Sequence, residues 1–160
     1  MKIVIPVVLV LLICAAQNSL AFFMSIASVK PDFVLVLVAL MSLFYGSKIG
    51  LLIGFFSGLI IDLSGMGLFG FYTFSFSLLG VIAGASQKSV FEDNYLLPVI
   101  VVFFSTFLMQ ILWYVCLWLN DYRLTNYAMI ILFIFAKPLY NVVLTAPMFL
   151  VFKRIKALTE

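Results

Sequence analysis

Three charged side chains stand inside or beside long apolar stretches of this sequence: Asp32, Asp62 and Lys137. A charge at the centre of a lipid bilayer costs about 2.5–3.5 kcal/mol on insertion scales, so such residues usually pair or mark a functional site. For Lys137 we name Asp62 as the first candidate partner and Asp32 as the second. The pairing could be structural, or it could bind a partner or ligand. Lys137 could also extend to the membrane surface.

Catalysis by these groups is not favoured. Acid–base chemistry needs several convergent titratable groups, and the sequence contains no histidine. It has no phosphate-binding glycine loop, dinucleotide-binding fingerprint or carboxylate pair at helical spacing. We therefore expect no catalytic residues, no metal site and no cofactor.

A second feature is a series of glycines spaced four residues apart. This spacing places them on one face of a helix, where they form a groove without side chains. In lipid such a groove allows another helix backbone to approach closely. The sequence alone leaves open whether the docked helix belongs to this chain or to a partner. The candidate docking residues are Gly46, Gly50, Gly54 and Gly58, with Gly80 and Gly84 on a second small-residue face.

The composition indicates that these elements lie in a membrane. Of 160 residues, 66% are hydrophobic and 9% are charged, with a mean hydropathy of +1.31. Soluble domains have roughly 45–50% apolar and about 25% charged residues. Since a membrane-spanning helix needs about 20 residues, the chain has room for five or six spans and no soluble catalytic domain. The net charge of +3 is scattered, which argues against nucleic-acid binding.

The pattern predicts an all-α integral membrane protein with a single domain, residues 1–160, and six transmembrane helices. The second and third predicted helices are short, so they either span the membrane with their flanking residues, which we favour, or form a re-entrant hairpin. The last helix is expected to be interrupted at Lys137-Pro138. The predicted helices cover residues about 3–27, 31–45, 48–63, 69–86, 95–119 and 127–152.

The positions of the basic residues predict the orientation. Cytoplasmic loops of membrane proteins carry an excess of lysine and arginine. With six spans, one side has six basic residues and the other has two, which places both termini in the cytoplasm. The larger set is Lys2, Lys48, Lys88, Lys153, Arg154 and Lys156, and the smaller set is Lys30 and Arg123.

Residues 30–85 resemble the MreD family, the rod-shape-determining membrane proteins of bacteria. The resemblance lies in Lys30-Pro31-Asp32 before the second predicted helix, the glycine run that ends at Asp62, and the glycine turn that follows. Length, hydropathy and six predicted spans also fit the family.

The resemblance implies a non-enzymatic scaffold in the bacterial inner membrane, as part of the complex that builds the lateral peptidoglycan wall. It implies binding to MreC, a single-span protein, and an indirect link to MreB filaments and peptidoglycan synthases. The family's fold is also similar to the substrate-binding subunits of energy-coupling-factor vitamin transporters. The alternative function is therefore a membrane subunit that binds a small, vitamin-type solute.

Overall fold

The computed structural model describes residues 17, 24, 25, 29–65, 68–87, 96–120 and 127–159, with side chains in the last helix described as far as Arg154. These residues form five α-helices and no β-sheet, which confirms the predicted all-α class. The first predicted helix, residues about 3–27, lies almost entirely outside the described residues. The helices are α1 (Phe33–Tyr45), α2 (Ser47–Leu63), α3 (Phe71–Ala85), α4 (Leu96–Leu119) and α5 (Tyr127–Thr159).

Helix α1 is the centre of the bundle. It contacts all four other helices, and every residue from Val34 to Leu43 is at most 1% exposed. A helix that is apolar on all sides is buried on all sides. Because α1 is about 20 Å long at 1.5 Å per residue and enclosed by protein, its length does not have to match the hydrocarbon thickness.

The helices α2 and α3 form the closest pair in the bundle. Gly46 alone separates α1 from α2, and its φ of +87° is a conformation that residues with a side chain rarely adopt. The chain thus turns from α1 into α2 within one residue. Its turn is closed by Gln87, whose Nε2 donates a 3.1 Å hydrogen bond to the carbonyl oxygen of Phe44.

Helix α5 continues without interruption through Pro138 and Pro147 to Thr159. The predicted break at Lys137-Pro138 is therefore wrong. Each proline removes one backbone N–H from the helix, but such losses are tolerated where neighbouring groups satisfy the backbone. On the far side of Pro138, the side chains of Phe149 and Phe152 are buried in the core, which favours a continuous helix.

Two of the described helices are long and apolar enough to cross a membrane: α4 and the segment Tyr127–Arg154 of α5. Only 28% and 22% of their most apolar stretches are buried. Large side chains such as Phe104, Trp118 and Val143 are more than 60% exposed, at 63%, 68% and 67%. Apolar surface on this scale is typical of helices that face lipid rather than water.

Candidate functional site

Helix ends gather at one end of the bundle and enclose a polar cavity. Asp32 precedes α1, Phe71 and Tyr72 begin α3, Trp113 and Tyr114 lie near the end of α4, and Lys137 lies in the first third of α5. All six residues line the same cavity. The site therefore depends on the relative positions of several helices, not on one motif.

Asp32 occupies the centre of this cluster and is 6% exposed. Its Oδ1 accepts a 3.0 Å hydrogen bond from the backbone N–H of Leu35, so the carboxylate caps the N-terminus of α1. Its own backbone N–H donates a 2.9 Å hydrogen bond to Oδ1 of Asn141 on α5. One residue thus fixes the start of α1 and ties it to the last helix.

Lys137 forms its ion pair with Asp32, at 3.7 Å between Nζ and Oδ2. Our first candidate partner, Asp62, is therefore wrong and our second is right. The physical reason is that both carboxylate oxygens of Asp62 are already occupied by another helix. The Lys137 side chain is 23% exposed and lines the cavity, so the ion pair lies at the cavity wall.

Asp62 caps α3 from outside that helix. One carboxylate oxygen accepts a 3.2 Å bond from the backbone N–H of Tyr72, and the other accepts a 2.8 Å bond from the backbone N–H of Thr73 and a bond from its hydroxyl. The residue in the N-cap position, Gly70, has no side chain to do this. The aspartate therefore replaces the missing cap and holds the turn between α2 and α3 closed.

The glycines on α2 lie against α3 of the same chain. A methyl group added at Gly50, Gly54 or Gly58 would lie less than 3.0 Å from the α3 backbone. Gly80 and Gly84 on α3 meet the backbone at Gly50 and at Gly46-Ser47 in the same way. The contacts advance by four residues along α2 and go back by four along α3, as expected for two antiparallel helices. Gly50, Gly54 and Gly58 thus contact the backbone of Gly80, Phe76 and Tyr72. Within the described residues, the groove is filled by the chain itself.

The cavity has a volume of about 240 Å³ and combines charged, polar and aromatic walls. Aromatic rings form one wall, where Phe71 and Trp113 meet edge to face with their ring centroids 5.0 Å apart. Polar side chains of Thr106 and Gln110 on α4 form another part of the lining. An arrangement of apolar walls with a few polar groups is typical of a binding site.

A model of the family described as rod shape-determining protein MreD matches residues 1–156. The chain belongs to the MreD family. Comparison with curated proteins and with solved structures gives no significant match. Family membership assigns the chain to a membrane-associated protein family with a role in rod-shape determination.

Two residues of this site, Asn141 and Thr106, were not predicted from the sequence. Asn141 is fully buried, accepts the bond from Asp32 and donates a 3.1 Å bond from Nδ2 to Oγ1 of Thr106. A signal was present for Asn141, because it stands four residues after Lys137 and so lies on the same helix face. Thr106 gave no such signal, since hydroxyls within membrane helices are common and often bond to their own helix.

Proposed function

We propose that this chain is a non-enzymatic, multi-pass scaffold of the bacterial inner membrane that binds MreC. Through MreC it helps to couple cytoplasmic MreB filaments to lateral peptidoglycan synthesis and so to maintain cell shape. Membership of the MreD family and the lipid-facing surfaces of α4 and α5 support this proposal. The absence of catalysis is part of the proposal, and it is supported by the structural use of both aspartates as helix caps.

In the proposed orientation, the cavity opens towards the outside of the cytoplasmic membrane. Lys48 lies at the start of α2, and Lys153 and Arg154 lie near the end of α5; these helix ends are far from the cavity, whereas Lys30 lines it. The positive-inside rule then places the cavity on the outer side. MreC, with its bulk outside the membrane, would reach the cavity from that side.

The observation on which the proposal rests is the polar cavity around Asp32 and Lys137. The glycine groove is covered by α3, so a partner helix would have to displace α3 in order to use it. The cavity has no such cover among the described residues, and it presents charge, hydrogen-bonding groups and aromatic rings together. We therefore place the MreC contact at the cavity and give the glycines an indirect role, holding α3 and its Tyr72 in position.

Two tryptophan substitutions on α4 test this assignment. Gln110→Trp adds bulk inside the polar cavity, whereas Leu108→Trp adds the same group to an apolar groove between α3 and α4. We expect Gln110→Trp to reduce co-purification of MreC at least tenfold and Leu108→Trp to leave it unchanged. Both variants should insert and melt like the unmodified protein.

The reverse result would place MreC on the apolar groove and would contradict our assignment. If both variants retain the fold and neither reduces co-purification of MreC, the cavity is not the contact surface.

The cavity also favours a second candidate function, a membrane subunit that binds a small, vitamin-type solute. Its volume and mixed lining suit a small molecule with polar and planar parts. Under this alternative, a screen of water-soluble vitamins should find a compound that raises the melting temperature of the purified protein. A screen in which no vitamin-sized solute shifts melting would count against it.

A further inference from the structure

The cavity is lined by side chains that donate hydrogen bonds. The ammonium group of Lys137 is 3.7 Å from Asp32, which is an ionic contact, and its side chain is 23% exposed. Trp113 and Tyr72 line the same cavity with an indole N–H and a hydroxyl. An acceptor that enters the cavity therefore meets an ammonium group with three N–H donors and two further donors nearby.

The charges that line the cavity also favour an anion. Two cations, Lys30 and Lys137, face one carboxylate, that of Asp32. The negative charge of Asp32 is also shared with the N-terminus of α1, through the bond from Leu35. Asp32 therefore does not fully neutralise the charge of Lys137. A second anion would enter a site with a net positive charge.

The aromatic walls and the volume limit what can accompany that anion. An apolar cavity of about 150 Å³ holds benzene, and this one has a volume of about 240 Å³. The rings of Phe71, Tyr72 and Trp113 lie within 6 Å of one another by centroid, at 5.4, 5.0 and 5.9 Å. The space fits one carboxylate attached to a small apolar or planar body.

We infer that the cavity is a carboxylate-binding site in which Lys137 and Lys30 hold the anion and the rings of Phe71 and Trp113 hold its apolar part. The inference rests on the proposed function for its biological role, because a partner protein would present this chemistry as an acidic side chain. A free organic acid would present the same chemistry, and the experiment below distinguishes the two sources.

The test is a fluorescence titration of the full chain in detergent. The sequence has two tryptophans, so Trp118→Phe leaves Trp113 as the only indole reporter. The probes are phenylacetate and its neutral match, 2-phenylethanol. We expect phenylacetate to change the Trp113 emission in a saturable way and 2-phenylethanol to bind at least tenfold more weakly.

Two lysine variants connect this result to the named residues. Lys137→Met should weaken phenylacetate binding at least tenfold and leave the binding of 2-phenylethanol unchanged. Lys30→Gln, which changes an exposed residue outside the helices, should weaken it severalfold without changing the melting temperature. Lys30→Gln keeps the inference testable even if Lys137→Met fails to fold. Equal binding of the two probes, or no effect of Lys30→Gln, would overturn the inference.

Adding purified MreC identifies the source of the carboxylate. Displacement of phenylacetate by MreC supports an acidic side chain of that partner, and undisturbed binding supports a free organic acid. The titration uses the chain alone, so its failure is separate from failure of the proposed function, which the Gln110→Trp co-purification measures.

Discussion

Lys137 and Asp32 form an ion pair across 105 positions of the sequence, with Nζ of the lysine 3.7 Å from Oδ2 of the aspartate. The pair joins the last helix to the residue that caps the central helix. It also lines the cavity that combines charges with aromatic walls. The pair therefore links the stability of the bundle to the surface on which we place the partner.

A double-mutant cycle of Asp32→Asn and Lys137→Met measures this pair. Asparagine retains an acceptor for the Leu35 N–H, so the cap on α1 is kept while the charge is removed. We expect a coupling of about 1 kcal/mol in the free energy of unfolding, a value between those of exposed and buried pairs. The matched cycle of Asp62→Asn with Lys137→Met should be additive within about 0.5 kcal/mol. Coupling to Asp62 in place of Asp32 would contradict the ion pair.

Removal of the Asp62 side chain should destabilise the protein by loss of the α3 cap. Hydrogen bonds to a charged group contribute about 1.5–3 kcal/mol, and three bonds converge on this carboxylate. Asp62→Ala should therefore lower the free energy of unfolding by about 2–3 kcal/mol, measured by equilibrium unfolding in mixed micelles. Thr73→Val removes only the hydroxyl and should cost about 1 kcal/mol. Equal stability of Asp62→Ala and the unmodified protein would refute the cap.

Gly54→Ala tests the contact between α2 and α3. The added methyl group would press on the backbone carbonyl of Phe76, which cannot move as a side chain can. Alanine gains about 1 kcal/mol in helix propensity over glycine, but overpacking costs about 1–3 kcal/mol, so we expect a net loss of up to about 2 kcal/mol. Phe55→Ala, next to it and 43% exposed, is the control and should change stability much less. A gain in stability for Gly54→Ala would show that the helices are not in close contact.

Asn141→Leu tests how much the buried hydrogen bonds of Asn141 contribute to the free energy of unfolding. It removes the acceptor of the Asp32 N–H and the donor to Thr106 while keeping the volume of the side chain. Each buried group left without a partner costs about 1–3 kcal/mol, so we expect a loss of about 2–4 kcal/mol in the free energy of unfolding. Thr106→Val should cost less in the Asn141→Leu background than in the unmodified protein. Equal costs in the two backgrounds would mean that the Asn141–Thr106 bond contributes nothing.

Local pattern was sufficient to predict the five described helices but not the contacts between their polar side chains. Apolar runs, glycines and prolines lie in the sequence itself, and α2, α3 and α4 begin and end within two residues of the predicted bounds. The end of α5 was predicted seven residues early, because the basic residues Lys153, Arg154 and Lys156 suggested a boundary. A helix can continue past the edge of its apolar run, and here it does so to Thr159.

The choice between Asp32 and Asp62 as partner of Lys137 could not be made from sequence. Both aspartates flank helices that meet at the same end of the bundle, so spacing does not separate them. The difference arises from Gly70, which has no side chain to cap the N-terminus of α3. Asp62 provides that cap instead, so its carboxylate oxygens are already bonded. Asn141 could have been included, because its position four residues after Lys137 places it on the same helix face.

The contact between MreC and the polar cavity is the central claim, and site-specific photocrosslinking in cells measures it most directly. A photoreactive phenylalanine analogue at position 133 would replace Phe133, which lines the cavity, and the same analogue at position 132 would replace Leu132, which is 54% exposed on the neighbouring surface. We predict an MreC crosslink from position 133 that is at least several times stronger than that from position 132. Crosslinking from position 132 with none from position 133 would contradict the claim.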